Sequence, residues 1–290
     1  MEHEVSDGPA HEPSFTAMWH AWMRNAHATT HPSPIYADTR SVQLVPETTV
    51  RDVETLMEGF SADAADALIL EAVIRFRVLA DRLPEAGERG IRQFVILGAG
   101  LDTTAFSLPT VAQNWQVFEV DHPATQEWKR RELAKLGWEL PSNLVFAPCD
   151  FEIQEFLDAL SAVGFDRALP ALVSLLGVIL YLTADSTRAL LGDLASLAPG
   201  SEVVMTYSPP PNGMDPTVQE VWDKASPKVD ETGESFIGYY TPSQIQRLVT
   251  EAGFSEVVHY SIDDLSASYL RDRRDGLKLH SIAQLLIAIC

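Results

Sequence analysis

Residues 91–121 read IRQFVILGAGLDTTAFSLPTVAQNWQVFEVD. The apolar run Phe94-Val95-Ile96-Leu97 is short, partly β-branched and closed by Gly98-Ala99-Gly100, which predicts a buried parallel strand ending in a tight turn. Gly98 and Gly100 remove side chains where the backbone must reverse and where a ligand can approach it closely. Asp102-Thr103-Thr104 is then expected in the first turn of a helix, where an acid suits the positive dipole end. A second strand at 117–120 ends on Asp121, 21 positions after Gly100. A nucleotide-binding βαβ unit places the acid that holds a ribose diol at about this distance.

The nucleotide is either a dinucleotide or S-adenosylmethionine. A dinucleotide site usually carries a third glycine or alanine three residues after the second, to seat a pyrophosphate. Here that position is Thr103, and Asp102 would turn negative charge toward the pyrophosphate. S-adenosylmethionine carries a sulfonium and an ammonium and accepts an acidic rim, so the pattern favours the methyl donor. The bland alternative is a buried strand and turn with no ligand.

Working outward, a third strand at 144–147 ends in Pro148-Cys149-Asp150-Phe151. Asp150 is placed to accept from an adenine amino group and Phe151 to offer the ring an apolar surface. Alternatively, Asp150 caps a helix beginning at Phe151. The near-continuous apolar run 171–176 reads as a central strand, and 202–207 as a fifth. Segments 257–260 and 282–289 read as an antiparallel pair at the sheet edge. Helices are expected from Pro13, from a Ser61 cap, from Pro123, from Thr183 and from a Thr241 capping box ending at Gly253. Together these predict an α/β fold, a Rossmann-like seven-stranded, mostly parallel sheet with helices on both faces. Residues 1–12 lack periodicity and read as mobile. The remainder, 13–290, reads as one domain, with a helical cap over 13–90 and a lid insertion over 208–240.

Composition narrows the function. At 290 residues and 46% hydrophobic content, one large α/β domain is expected. No apolar run approaches the roughly 20 residues that span a bilayer. The acidic start MEHEVSDGPAHEP lacks a signal-peptide pattern, and Cys149 and Cys290 read as free thiols; a cytoplasmic protein is expected. With 41 acidic against 21 basic residues, the formal charge of −20 repels phosphate backbones and argues against nucleic acid as partner. A small molecule or a protein fits better.

FVILGAGLDT, FEVDHP and GVILYL, with AMWHAWMRNAH, FRVLADR, PCDFE, TPSQIQRLVTEAGF and SYLRDRRDGL, resemble the leucine carboxyl methyltransferase family, including its bacterial polyketide-type O-methyltransferase branch. The likeness spans most of 14–290. It implies a cofactor, S-adenosyl-L-methionine, held by Gly98, Ala99, Gly100, Asp121, Asp150 and Phe151. It also implies an arginine against the cofactor's carboxylate, with FRVLADR pointing to Arg75 first and Arg77 second. The aromatic stripe with Trp19 and Trp22 is implied as a wall of the substrate pocket, the other reading being a helix covering the core. Tyr181 is either a substrate contact or ordinary packing. Arg271, in the basic run YLRDRR, is either part of a solvated turn or a site for an anionic substrate. One departure is Leu176, where family members commonly carry an acid before the glycine.

No metal-ligand spacing and no His–carboxylate pair is evident, and His20, His27 and His31 have no identifiable partner in the sequence. The catalytic residue is therefore left unassigned. A carboxylate is already ionised at neutral pH and needs no general base. The expected activity is O-methylation of a carboxylate, or a hydroxyl, on a small specialised metabolite. The alternatives are carboxyl methylation of a protein C-terminus and, because of Leu176, a cofactor-binding protein without methyl transfer.

Overall fold

The computed structural model describes residues 14–211 and 214–290. The segment 1–12, expected to be mobile, lies outside the described residues.

The sheet has seven strands: β1 (Gln93–Leu97), β2 (Gln116–Asp121), β3 (Leu144–Pro148), β4 (Ala171–Leu175), β5 (Glu202–Tyr207), β6 (Glu256–Tyr260) and β7 (Gln284–Ile289). Their order is β3-β2-β1-β4-β5-β7-β6. The first five run parallel, and β7 is antiparallel to both β5 and β6. Leu97 pairs with Val120 on one side and Leu175 on the other, so β1, β2 and β4 end level. The chain order reverses between β1 and β4, and ligands of open α/β sheets bind beyond the strand ends at such a point.

Alternation along β1 feeds two cores. Val95 and Leu97 pack on one face with Leu157, Leu190, Leu194, Ile245 and Val249, from α5 (Phe156–Ala162), α6 (Ala184–Ala195) and α8 (Pro242–Ala252). Phe94 and Ile96 pack on the other with Leu70, Val73, Leu79 and Leu83 of α3 (Ala62–Glu88) and Leu265 of α9 (Ile262–Tyr269). A buried leucine of this kind contributes about 1.5–3 kcal/mol through the area it removes from water. Ser61 caps α3, its hydroxyl accepting from the Ala64 amide, and Asp63 supplies the first-turn acid.

Above the strand ends lie α1 (Phe15–Thr30), α2 (Glu47–Glu58) and the start of α3. Ser14 caps α1, and His31 ends it before Pro32. The segment read as a long lid contains a 16-residue helix, α7 (Pro216–Glu231), capped by Asp215. Val218, Val221, Trp222 and Ala225 bury it against α1, α2 and α3. Residues after α7 lie on the short turn Ile179–Tyr181, where Ile237 and Gly238 amides both donate to the Leu180 carbonyl at 2.9 Å. No described helix is long and apolar enough to cross a membrane.

Two expected helix starts are corrected. After β1 there is no α-helix at Asp102; the link to β2 holds only the single turns Thr104–Phe106 and Thr110–Ala112. The Asp102 carboxylate takes the Thr104 amide at 2.6 Å, a local bond that competes with helix, and Pro109 bars continuation. Likewise Phe151 does not open a helix: residues 151–154 turn first, with the Glu152 amide donating to Asp150 at 3.0 Å, and α5 begins at Phe156.

Candidate functional site

A cavity of about 600 Å³ opens over the ends of β1 to β4. Gly98, Ala99, Gly100, Asp121, Asp150, Phe151, Arg75 and Tyr181, all named from sequence, line it. Gly98 has φ +65°, and a Cβ there would stand 2.3 Å from Val178 Cγ2. Gly100 has φ +46° and a Cβ there would stand 3.1 Å from Ala17. Both positions therefore require glycine for backbone sign and for space. The turn is tied to β2: the Gly98 amide donates to the Val120 carbonyl at 2.8 Å, and the Gly100 amide donates to Asp121 Oδ2. Asp121 Oδ1 takes the His122 amide at 2.6 Å. Burial pushes the Asp121 carboxyl up, while these amide bonds pull it back.

A buried ion pair supports this turn from behind. Lys129 Nζ, from α4 (Pro123–Lys135), donates to Glu119 Oε2 at 2.6 Å and to the Asp102 carbonyl at 2.5 Å. Both side chains are 1% exposed. Burial pushes the Glu119 carboxyl up and Lys129 opposes it. In the sequence Lys129 resembles any lysine late in a helix; only the fold turns it inward.

The two candidate arginines separate. Arg75 is buried, lines the cavity, and holds Glu71 at 3.0 Å, while its Nε has no partner. Burial pushes Glu71 up, against the pull of Arg75. Arg77 turns outward to Asp81 at 3.0 Å and lies over the Tyr269 ring. Gly177 follows the same logic as the glycine turn: a Cβ there would stand 2.9 Å from Arg75 Nη1. Leu176 lines the cavity beside it without a polar atom.

A second, smaller cavity of about 60 Å³ adjoins the first, lined by Trp19, Met23, Leu68 and Trp222 among others. Trp19 is buried, its indole N–H directed at Met57 Sδ at 3.3 Å. Thr16, His20, Arg75, Gly177 and Tyr181 line both cavities, so the two share this wall. The Tyr181 hydroxyl donates to Thr16 Oγ1 at 2.8 Å, which donates to Glu234 Oε2 at 2.9 Å. This chain joins the turn after β4, α1 and the segment after α7. His20 sits one helical turn beyond Thr16; its Nδ1 is sealed from solvent and unpartnered. Burial, then the charges of Arg75 and Arg24, push its imidazole well below the usual range.

Two of the expected substrate residues do not reach either cavity. Trp22 is partly buried against the α1–α3–α7 core, so it serves packing. Arg271 is exposed in the turn after α9. Its neighbour Arg273 pins that turn, binding Asp275 and the Ser33 carbonyl at 2.8 Å. Sequence reading missed Glu71 and Glu234, left His20 without a role, and had no local signal for any of them. Among the described residues no cluster of three or more His, Cys, Asp or Glu could hold a metal.

A family model, leucine carboxyl methyltransferase, matches residues 17–195. YktD of Bacillus subtilis strain 168, provisionally named an S-adenosyl-L-methionine-dependent methyltransferase, is 35% identical over 193 residues, covering 65% of this chain and 62% of that one. A Mycolicibacterium smegmatis protein with the same provisional name is 35% identical over 199 residues, 66% of each chain. The chain thus aligns over less than two thirds of these relatives. Among solved structures, a provisionally named methyltransferase from Thermobifida fusca YX superposes with TM-score 0.62 at 21% identity, covering 99% of both chains. A DUF574 family protein from Streptomyces avermitilis gives 0.59 at 14% identity, over 93% and 96%. These structural likenesses speak for the fold, and the sequence match over more than half the chain assigns this protein to the leucine carboxyl methyltransferase family.

Proposed function

We propose that this protein is an S-adenosylmethionine-dependent O-methyltransferase acting on a small molecule. The observation that carries the reading is one cavity uniting a glycine turn, the Asp121 carboxylate at the end of β2 and a buried arginine with an uncommitted Nε. Those groups suit the cofactor's parts. Asp121 would hold the ribose diol, Asp150 and Phe151 the adenine, and Arg75 the methionine carboxylate through charge-assisted bonds. Gly98 and Gly100 leave room for close approach. The bound cofactor supplies an electrophilic methyl. The chain's own contribution is position: holding an acceptor oxygen about 3 Å from that methyl removes about 7–11 kcal/mol of barrier.

The apolar walls of the smaller cavity, Trp19, Met23, Leu68 and Trp222, support a small, largely apolar acceptor. In this reading 14–90 is the cap and 208–240, with α7 inside it, is the cover over the acceptor. The test is label transfer. Metabolite extract incubated with isotopically labelled methyl donor should yield, by mass spectrometry, a small product carrying the labelled methyl. Label appearing only in protein would overturn the small-molecule assignment.

A further inference from the structure

We propose that His20, which lines both cavities, is the proton acceptor for a neutral hydroxyl substrate. The proposal rests on the methyltransferase reading and adds the acceptor class and the base to it.

Charge decides the class. Two arginines line the larger cavity among the described residues. Arg24 is committed to Asp38, with Nε 2.9 Å from Oδ2 and both side chains buried. Arg75 is committed to Glu71 and, in this reading, to the cofactor. The remaining charges on that wall are acids: Asp102, Asp121, Asp150, Glu152 and Glu234. A carboxylate substrate in the smaller cavity would meet Glu71 and Arg75, already paired with each other, and no cation of its own, whereas a hydroxyl enters without that penalty. Expecting a carboxylate rested on the lack of a base together with the family resemblance, and His20 removes the first of these grounds.

Commitment decides the base. Near the smaller cavity Glu71 holds Arg75, Glu234 takes the Thr16 hydroxyl, and Tyr181 donates to Thr16. His20 is partly exposed to the cavities, yet its Nδ1 is sealed and has no partner. With Nδ1 sealed, Nε2 is the ring nitrogen left to meet a substrate. In the step proposed, the hydroxyl oxygen gains the methyl while its proton passes to the imidazole. The electron pair of the broken carbon–sulfur bond stays on sulfur, and the imidazolium returns its proton to water. As the oxygen bonds to carbon its proton becomes strongly acidic, so a weakly basic imidazole suffices. The charged or titratable groups facing His20 are Arg24 on its own helix, Glu71 and Arg75 on α3, Tyr181, and Glu234 after α7. A cofactor carboxylate on Arg75 would offset one of the charges that depress it.

The experiment is nitrogen-15 NMR of histidine-labelled protein with and without S-adenosylhomocysteine, His20 being assigned by its loss in His20→Gln. The expected result is a neutral ring from pH 6.5 to 8.5 in both states; an imidazolium at pH 7 would overturn the proposal. His20→Gln and His20→Asn should bind S-adenosylhomocysteine within about twofold of the parent. Labelled product should be an ether, stable to mild base that would release methanol from an ester; released methanol also overturns it. Turnover by the parent should be flat above pH 6.5, whereas His20→Gln should rise about tenfold per pH unit with ionisation of a phenolic acceptor. Parallel flat profiles would show a merely structural role. Absence of S-adenosylhomocysteine binding to the parent would count against the cofactor reading instead, and the ligand-free titration would still decide the state of His20.

Discussion

Replacing Arg75 with methionine should separate two roles that one side chain holds. Arg75 and Glu71 are each 8% exposed and 3.0 Å apart. Removing the guanidinium leaves a buried carboxylate unpaired, a change that costs about 3–5 kcal/mol where the survivor stays charged. Burial already pushes Glu71 up, so it will take a proton and the loss should fall toward the lower figure. Affinity for S-adenosylhomocysteine should drop separately. A hydrogen bond to a charged group contributes about 1.5–3 kcal/mol, roughly a 10- to 150-fold weaker Kd. Glu71→Gln combined with Arg75→Met should recover most of the stability and none of the affinity. Arg77→Met removes a pair whose partners are 42% and 40% exposed, worth about 0–1 kcal/mol, and should leave affinity unchanged. Urea unfolding and calorimetry on the four proteins supply both readings. Undiminished affinity in folded Arg75→Met, or an equal loss in Arg77→Met, would refute this assignment.

Asp121→Ala should weaken S-adenosylhomocysteine binding about 10- to 100-fold, read by calorimetry, if the carboxylate bonds the ribose diol as proposed. Gly98→Ala should destabilise by about 2–5 kcal/mol, from a left-handed φ and a Cβ driven into Val178, and its melting temperature would register the loss. His27 should make the fold acid-sensitive. Its Nε2 accepts the Ile35 amide at 2.9 Å, and burial, with His31 and Arg273 nearby, lowers it to about 4. The folded value lies below the unfolded one, so this stability is complete above about pH 6.5 and is lost as pH falls toward 4. From pH 7.5 to 5 the loss should be about 2 kcal/mol, and His27→Gln should remove that part of the slope in urea titrations.

The sheet was legible because buried parallel strands announce themselves: β1, β4 and β5 are short apolar runs between turn signals, and the glycine turn marks the ligand end. Cavity-lining residues were legible for the same reason, since Asp121 ends β2 and Asp150 follows β3, strands whose ends the topology aligns. Helix starts governed by one side chain were not. Asp102 satisfies the Thr104 amide by itself, and Asp150 does the same for Glu152. Nor were contacts between distant segments. Lys129 under the Asp102 carbonyl and Glu234 on Thr16 depend on how α4 and the post-α7 segment are laid down. The aromatic stripe of α1 split for a geometric reason: three residues apart on a helix, Trp19 and Trp22 share a face only approximately. Trp19 reaches the smaller cavity while Trp22 packs beside it.

The central claim is that the cavity over β1 to β4 takes the methyl donor and not a dinucleotide. Titration calorimetry of the intact chain with S-adenosylhomocysteine, and in parallel with NAD, tests it most directly. The expected result is one-site binding of S-adenosylhomocysteine in the range of about micromolar Kd, near −8 kcal/mol, with no heat from NAD. Tight NAD binding with no response to S-adenosylhomocysteine would contradict it.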